Sequence, residues 1–169
     1  MDPRYLDTDR ETFTEAYVTR AVEEISDHCG IAADCDGDCN GDHSPVSLTL
    51  ADFHPDTLER LRTDAREFFD AHAADLALYP GEYGYDPDQW AERGGELFWM
   101  DRSGHGIGFG DWYTAGGSDT AVQGARGRLM GACRAEGERD LFMGLDGKIT
   151  HGKSWGEHQR ERADRAPGV

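Results

Sequence analysis

The stretch GELFWMDRSGHGIGFGDWY, running from Gly95 to Tyr113, decides how this chain is read. From Gly104 to Gly110 every second residue is glycine, with His105, Ile107 and Phe109 between them and Asp111 just beyond. An alternation of this kind has the period of a β-strand, whose successive side chains point to opposite faces. The spacing predicts a β-hairpin turning at Ser103 and Gly104. That register sets Phe98 opposite Phe109 and Met100 opposite Ile107 on one apolar face. On the other face Trp99 lies over Gly108 and Leu97 over Gly110, and a large side chain covering a cross-strand glycine stabilises a bare strand.

Upstream, the pattern predicts two helices. The first is expected from about Asp9 to Ser26, opened by a Thr8/Glu11 capping box, with Phe13, Tyr17, Val18, Ala21 and Ile25 on one face. The second is expected from Pro55, a residue suited to a first helical position, to near Leu78, where Pro80 and Gly81 stop it. Its apolar stripe is Leu58, Leu61, Ala65, Phe68, Phe69 and His72.

Downstream, a third helix fits Asp119 to Glu136, with Ser118 or Asp119 as N-cap and Gly137 past its end. Val122, Ala125, Leu129 and Cys133 share its apolar face, while Gly124, Gly127 and Gly131 form a bare stripe that calls for a close neighbour. RDLFMGLDGKITH, residues 139–151, then predicts a second hairpin with Asp146-Gly147 as a type I′ turn.

The expected fold is therefore α+β. Two N-terminal helices pack on an antiparallel sheet of two hairpins, with a helix between the hairpins, in the order ααββαββ. Residues 1–152 form one domain, including a Cys-, Asp- and Gly-rich loop at 28–47. Residues 153–169 form a polar, frayed tail.

Charge is the largest compositional deviation. Asp and Glu number 34 against 17 Lys and Arg, for a formal net charge of −17. Such a field opposes direct nucleic-acid binding, which depends on neutralising phosphates. It suits a basic protein partner, a cation or simple solubility. No apolar run approaches the roughly 18 residues of a membrane span, and the acidic N-terminus lacks the apolar core of a signal peptide. A cytoplasmic protein is expected, in the host cell if it is phage-encoded.

Phe98-Trp99, Arg102, Gly104-His105-Gly106, Gly108-Phe109 and Asp111 compose F-W-x-x-R-x-G-H-G-x-G-F-x-D. With Asp140-Leu141-Phe142, Gly144 and Asp146-Gly147-Lys148-Ile149, this resembles a family of small uncharacterised proteins of bacteriophage and prophage genomes. The resemblance implies a phage-type accessory protein and carries no activity with it. The chain departs from that pattern at Gly110 and Trp112, and its Cys-rich loop looks like a local insertion.

Two constellations have chemical potential. His105 with Asp111 has the residue types of a general base and its orienting carboxylate. Six residues along a strand separate them by about 20 Å, whereas proton transfer requires contact near 3 Å. Glu96 opposite Asp111 is a further carboxylate for such a site. Cys29, Cys35, Cys39 and His43 have short spacings compatible with a closed structural zinc site. The interleaved Asp36, Asp38, Asn40 and Gly41 match the opening of a calcium loop but lack its closing acid, since Ser47 stands there.

The leading reading is a non-enzymatic, anti-defence type of binding protein. It would block or sequester a host or defence factor, or a small anionic signalling ligand. Its site is expected on the glycine-rich hairpin: Trp99, Arg102, Gly104, His105, Gly106, Gly108, Asp111 and Trp112. The alternatives are a small hydrolase using His105, Asp111 and Glu96 or a bound metal, and an acidic nucleic-acid mimic that binds a basic host protein. A homodimer is compatible with any of them.

Overall fold

The computed structural model describes residues 3–27, 47–81, 84–104, 108–111, 119–144 and 146–152. Within them the chain runs through four helices and then one hairpin: α1 (Pro3–Asp27), α2 (Pro55–Leu76), α3 (Trp90–Arg102), α4 (Thr120–Glu136), β1 (Leu141–Met143) and β2 (Ile149–His151). This overturns the ααββαββ expectation. The fold is predominantly helical, and the first hairpin is replaced by α3.

The physical reason lies in α3. Ala91, Gly94, Gly95, Phe98 and Arg102 recur at the three- and four-residue spacing of one helix face, and all are buried together with Leu97 and Trp99. Three consecutive large buried residues suit either a helix docked on two sides or a strand covered on both faces. The pair Gly94-Gly95 selects the helix. A Cβ at Gly95 would overlap the carbonyl oxygen of Phe13 and stand 3.0 Å from both Ala16 Cβ and Tyr17 N. Glycine therefore permits α3 to lie directly on the backbone of α1.

Gly104 is not a hairpin turn residue but the residue that ends this helix. Ser103 N donates to Trp99 O at 2.8 Å, and Gly104 follows at φ +79°, a conformation glycine adopts without steric cost. Phe109 N donates to Asp101 Oδ2 at 2.9 Å, and the Phe109 ring is fully buried in the core.

The other helices follow their local signals closely. α1 buries Phe13, Tyr17, Val18, Ala21 and Ile25, as its periodicity requires. It is already under way at Pro3, so Thr8 and Glu11 lie inside it and do not cap it. α2 begins at Pro55 with His54 as N-cap, whose Nδ1 accepts from Asp56 N at 3.2 Å. It ends at Leu76, two residues before the expected stop. In α4 the Asp119 side chain accepts from Ala121 N at 2.8 Å, and Val122, Ala125, Leu129 and Cys133 are buried. Among the described residues, its bare stripe receives no neighbouring element: a Cβ at Gly127 or Gly131 would meet nothing within 4 Å, and one at Gly124 would meet Arg128 Nη1 of the same helix at 3.2 Å.

One aromatic cluster joins α1, α2 and α3. Phe68 stacks on Phe98 with centroids 3.9 Å apart, Tyr17 on Phe98 at 4.9 Å, and Phe13 on Phe98 at 5.9 Å. The hairpin closes the α2 end of this core. β1 and β2 pair antiparallel with Phe142 opposite Thr150. Phe53 adds a parallel bridge to Ile149, which is fully buried. Gly147 has φ +74°, yet no described non-glycine residue has positive φ, so Asp146-Gly147 is not the expected type I′ turn. Gly147 N instead closes a turn on Gly144 O at 3.0 Å, ahead of a single left-handed glycine.

Candidate functional site

Of the residues expected on the hairpin face, Trp99, Arg102 and Gly108 are buried. Trp99 is 2 % exposed, and its indole Nε1 donates to Glu24 Oε2 on α1 at 2.8 Å. Arg102 is 0 % exposed. Gly104 is exposed beside Glu138, whereas Gly108 is buried where a Cβ would overlap the Asp101 carboxyl. Asp111 ends a short 3-10 turn, Phe109–Asp111. His105, Gly106 and Trp112 lie outside the described residues, as do Cys29, Cys35, Cys39 and His43. Glu96 sits on α3, where Tyr85 Oη donates to it at 2.9 Å and Arg93 Nη1 at 2.8 Å.

What the structure assembles around Arg102 is a buried ionic network. Asp64 on α2 accepts on Oδ2 from Arg102 Nη2 at 3.3 Å and from Arg139 Nε at 2.9 Å. Its Oδ1 lies 3.0 Å from Arg60 Nε. Arg102 also reaches Glu136 at 3.4 Å and lies 5.4 Å from the Phe98 ring centroid. One carboxylate thus ties α2 to the ends of α3 and α4. The sequence signal was present: Asp64 shares the buried face of Leu61, Ala65 and Phe68, and a carboxylate there demands a partner.

The neighbouring nucleophilic groups are silenced. Burial pushes the Tyr17 phenol well above its ordinary range, only partly offset by Arg102. Burial pushes the Cys133 thiol up as well, and Asp101 adds to the effect. A thiol held protonated is a poor nucleophile and metal ligand. This centre consequently holds the fold and offers little reactive chemistry.

Among the described residues, one accessible feature is a groove between α1 and α3. It encloses about 460 Å³ and is lined by Thr12, Glu15, Thr19, Glu23, Glu92 and Glu96, with Ala16 and Arg20 completing it. Gly95 lets α3 approach α1 beside Ala16, where a Cβ would stand 3.0 Å from the Ala16 Cβ. A second concavity along α1, lined by Asp7, Thr8, Glu11, Thr12 and Glu15, shares Thr12 and Glu15 with it. Across the first groove four carboxylates face one guanidinium. Arg20 is engaged by Glu23 at 3.3 Å, and Glu15 stands 3.7 Å from Arg62 on α2. Among the described residues, no group of three or more potential metal ligands converges, and no helix is long and apolar enough to cross a membrane.

Comparison of the chain with protein-family models, with curated proteins and with solved structures finds no match.

Proposed function

We propose that this chain is a non-enzymatic binding protein of phage or prophage type that engages a basic protein partner through the acidic α1/α3 groove. The observation that carries the reading is the groove itself. Glu15, Glu23, Glu92 and Glu96 line one concavity with Arg20 as the single cation, on a chain whose formal net charge is −17. A concave surface with an excess of one sign focuses its field and speeds the encounter with an oppositely charged partner. The groove replaces the hairpin face as the docking surface, because Trp99 and Arg102 are spent inside the core. The phage assignment rests on the sequence motif alone.

The test is an anisotropy titration with a fluorescent nona-arginine peptide at two salt concentrations. The triple variant Glu15→Gln/Glu23→Gln/Glu92→Gln is expected to weaken binding at least tenfold. A control with the same charge change on α2, Glu59→Gln/Glu67→Gln/Asp70→Asn, is expected to weaken it far less. Equal loss in both variants would show that net charge, and not the groove, attracts the peptide.

A further inference from the structure

β1 is the outer strand of the small sheet, and the direction of its backbone groups follows from the ladder. Gly144 N donates to Lys148 O at 2.7 Å, and Gly152 N donates to Asp140 O at 3.0 Å. Residues 140, 142 and 144 therefore turn their backbone groups toward β2, and Leu141 and Met143 turn theirs outward. β2 obeys the same rule, since Ile149 O points away from β1 and accepts from His54 N at 2.8 Å. Phe53 covers that far side of β2. On the outer side of β1 there is no strand among the described residues.

Apolar side chains accompany this edge. Phe142 is 46 % exposed and Met143 38 % exposed, which makes them two of the four large hydrophobic residues that remain exposed among the described residues. The Phe142 ring is not loose, because it lies over Gly152, where a Cβ would come within 2.9 Å of the ring. Acidic residues bracket the strand: Glu138 and Asp140 at one end, Asp146 at the other, all exposed. Among the described residues, the cations nearby are engaged elsewhere: Lys148 Nζ donates to Ala51 O at 2.7 Å, and Arg139 Nε to Asp64 Oδ2 at 2.9 Å.

We propose that β1 is a docking edge for an extended segment of a partner protein that adds to the sheet as a further strand. The segment carries an aliphatic or aromatic residue opposite Phe142, with lysine or arginine at its ends. Main-chain hydrogen bonds to Leu141 and Met143 supply affinity. The Phe142 platform and the flanking carboxylates select an apolar strand with basic ends. Charge decides against a second copy of this chain as the occupant. Antiparallel self-pairing centred on Phe142 carries the Asp146 turn of each copy toward Glu138 of the other, and like charges across a ladder are destabilising.

The probe is a labelled peptide, Lys-Val-Lys-Val-Lys-Val-Lys, with Glu-Val-Glu-Val-Glu-Val-Glu as its acidic counterpart, titrated by anisotropy against the whole chain. The basic peptide is expected to bind and the acidic one to fail. On binding, the Leu141 and Met143 amides slow in hydrogen exchange while the Phe142 amide, already directed at β2, does not. Met143→Pro removes one outward donor without touching the β1–β2 ladder and is expected to weaken binding at least tenfold. Phe142→Lys, at an exposed position, provides the same loss without a backbone change.

Binding unaltered by both variants overturns the proposal. Loss only in Glu15→Gln/Glu23→Gln/Glu92→Gln also overturns it and leaves the groove as the docking site. A wild-type dimer in sedimentation that Met143→Pro dissociates overturns it in favour of a second copy. Failure of the nona-arginine test leaves the edge unaffected, because that variant lies on α1 and α3.

Discussion

Arg102 Nη2 and Asp64 Oδ2 meet at 3.3 Å with side-chain exposures of 0 % and 3 %. The pair joins the end of α3 to the middle of α2, and Arg139 joins the same carboxylate from beyond α4. Removing the carboxylate leaves two guanidinium groups without their buried counter-ion. Asp64→Ala is expected to cost about 3–5 kcal/mol in urea unfolding, the range for breaking a buried ion pair. Arg60→Gln removes a half-exposed partner of the same carboxylate and is expected to cost no more than about 1 kcal/mol. Equal costs would mean that burial contributes nothing to the difference.

Glycine at position 95 is expected to be far less replaceable than glycine at 127. A Cβ at Gly95 meets the α1 backbone, which cannot yield as a side-chain tip can. Gly95→Ala should therefore destabilise by about 1–3 kcal/mol or more, as overpacked contacts do. Gly127 in α4 has no neighbour within 4 Å of a Cβ among the described residues, so Gly127→Ala should stabilise by about 1 kcal/mol through helix propensity. Thermal unfolding midpoints moving in opposite directions would verify both.

The Tyr17 hydroxyl is buried and has no hydrogen-bond partner among the described residues. Deleting an unsatisfied buried hydroxyl removes a desolvation cost and leaves the ring stacking in place. Tyr17→Phe is accordingly expected to be neutral or stabilising by up to about 1 kcal/mol. A loss above that in chemical denaturation would reveal a bond made by this oxygen. In the wild type, an alkaline absorbance titration should show Tyr17 ionising only as the fold opens, because burial holds its phenol up.

Asp75 is held below its ordinary value of 3.8, chiefly by the hydrogen bond from Arg128. A carboxyl whose folded pKa is depressed contributes stability above its unfolded pKa and loses it as pH falls through the folded one. That window opens near about pH 4 and extends downward. Asp75→Asn and Arg128→Gln should therefore each flatten the acid limb of stability below that point. Guanidinium unfolding at pH 3 and pH 7 reads this as a smaller difference than in the wild type. An unchanged difference would mean that the pair contributes no linkage.

Much of the fold was legible because its signals are local. The α1 face from Phe13 to Ile25, Pro55 at the start of α2, and Asp119 with Gly137 bounding α4 each depend on periodicity or capping within a few residues. The β1–β2 hairpin was legible for the same reason, although its turn type was not. The misreading concentrated on 95–111. Glycine alternation there has a strand's period, but Gly104 terminates a helix and Gly108 makes room for Asp101. The 91/94/95/98/102 spacing was a competing helical signal of equal standing.

Two residues of the candidate site, Trp99 and Arg102, are buried for a related reason. Trp99 and Arg102 are residue types that mark binding surfaces, and nothing local tells a surface arginine from a buried one. Its carboxylate lies 38 residues upstream. Sequence alone therefore determined which segments could be amphipathic helices, where three of the four turn their apolar faces, and that the surface would be strongly acidic. Tertiary structure decided that residues 90–102 form a helix, that Arg102 belongs to the core, and that Glu15, Glu23, Glu92 and Glu96 line one groove. Those outcomes depend on the approach of α3 to the α1 backbone at Gly95 and on Asp64 meeting Arg102, contacts between residues far apart in the chain.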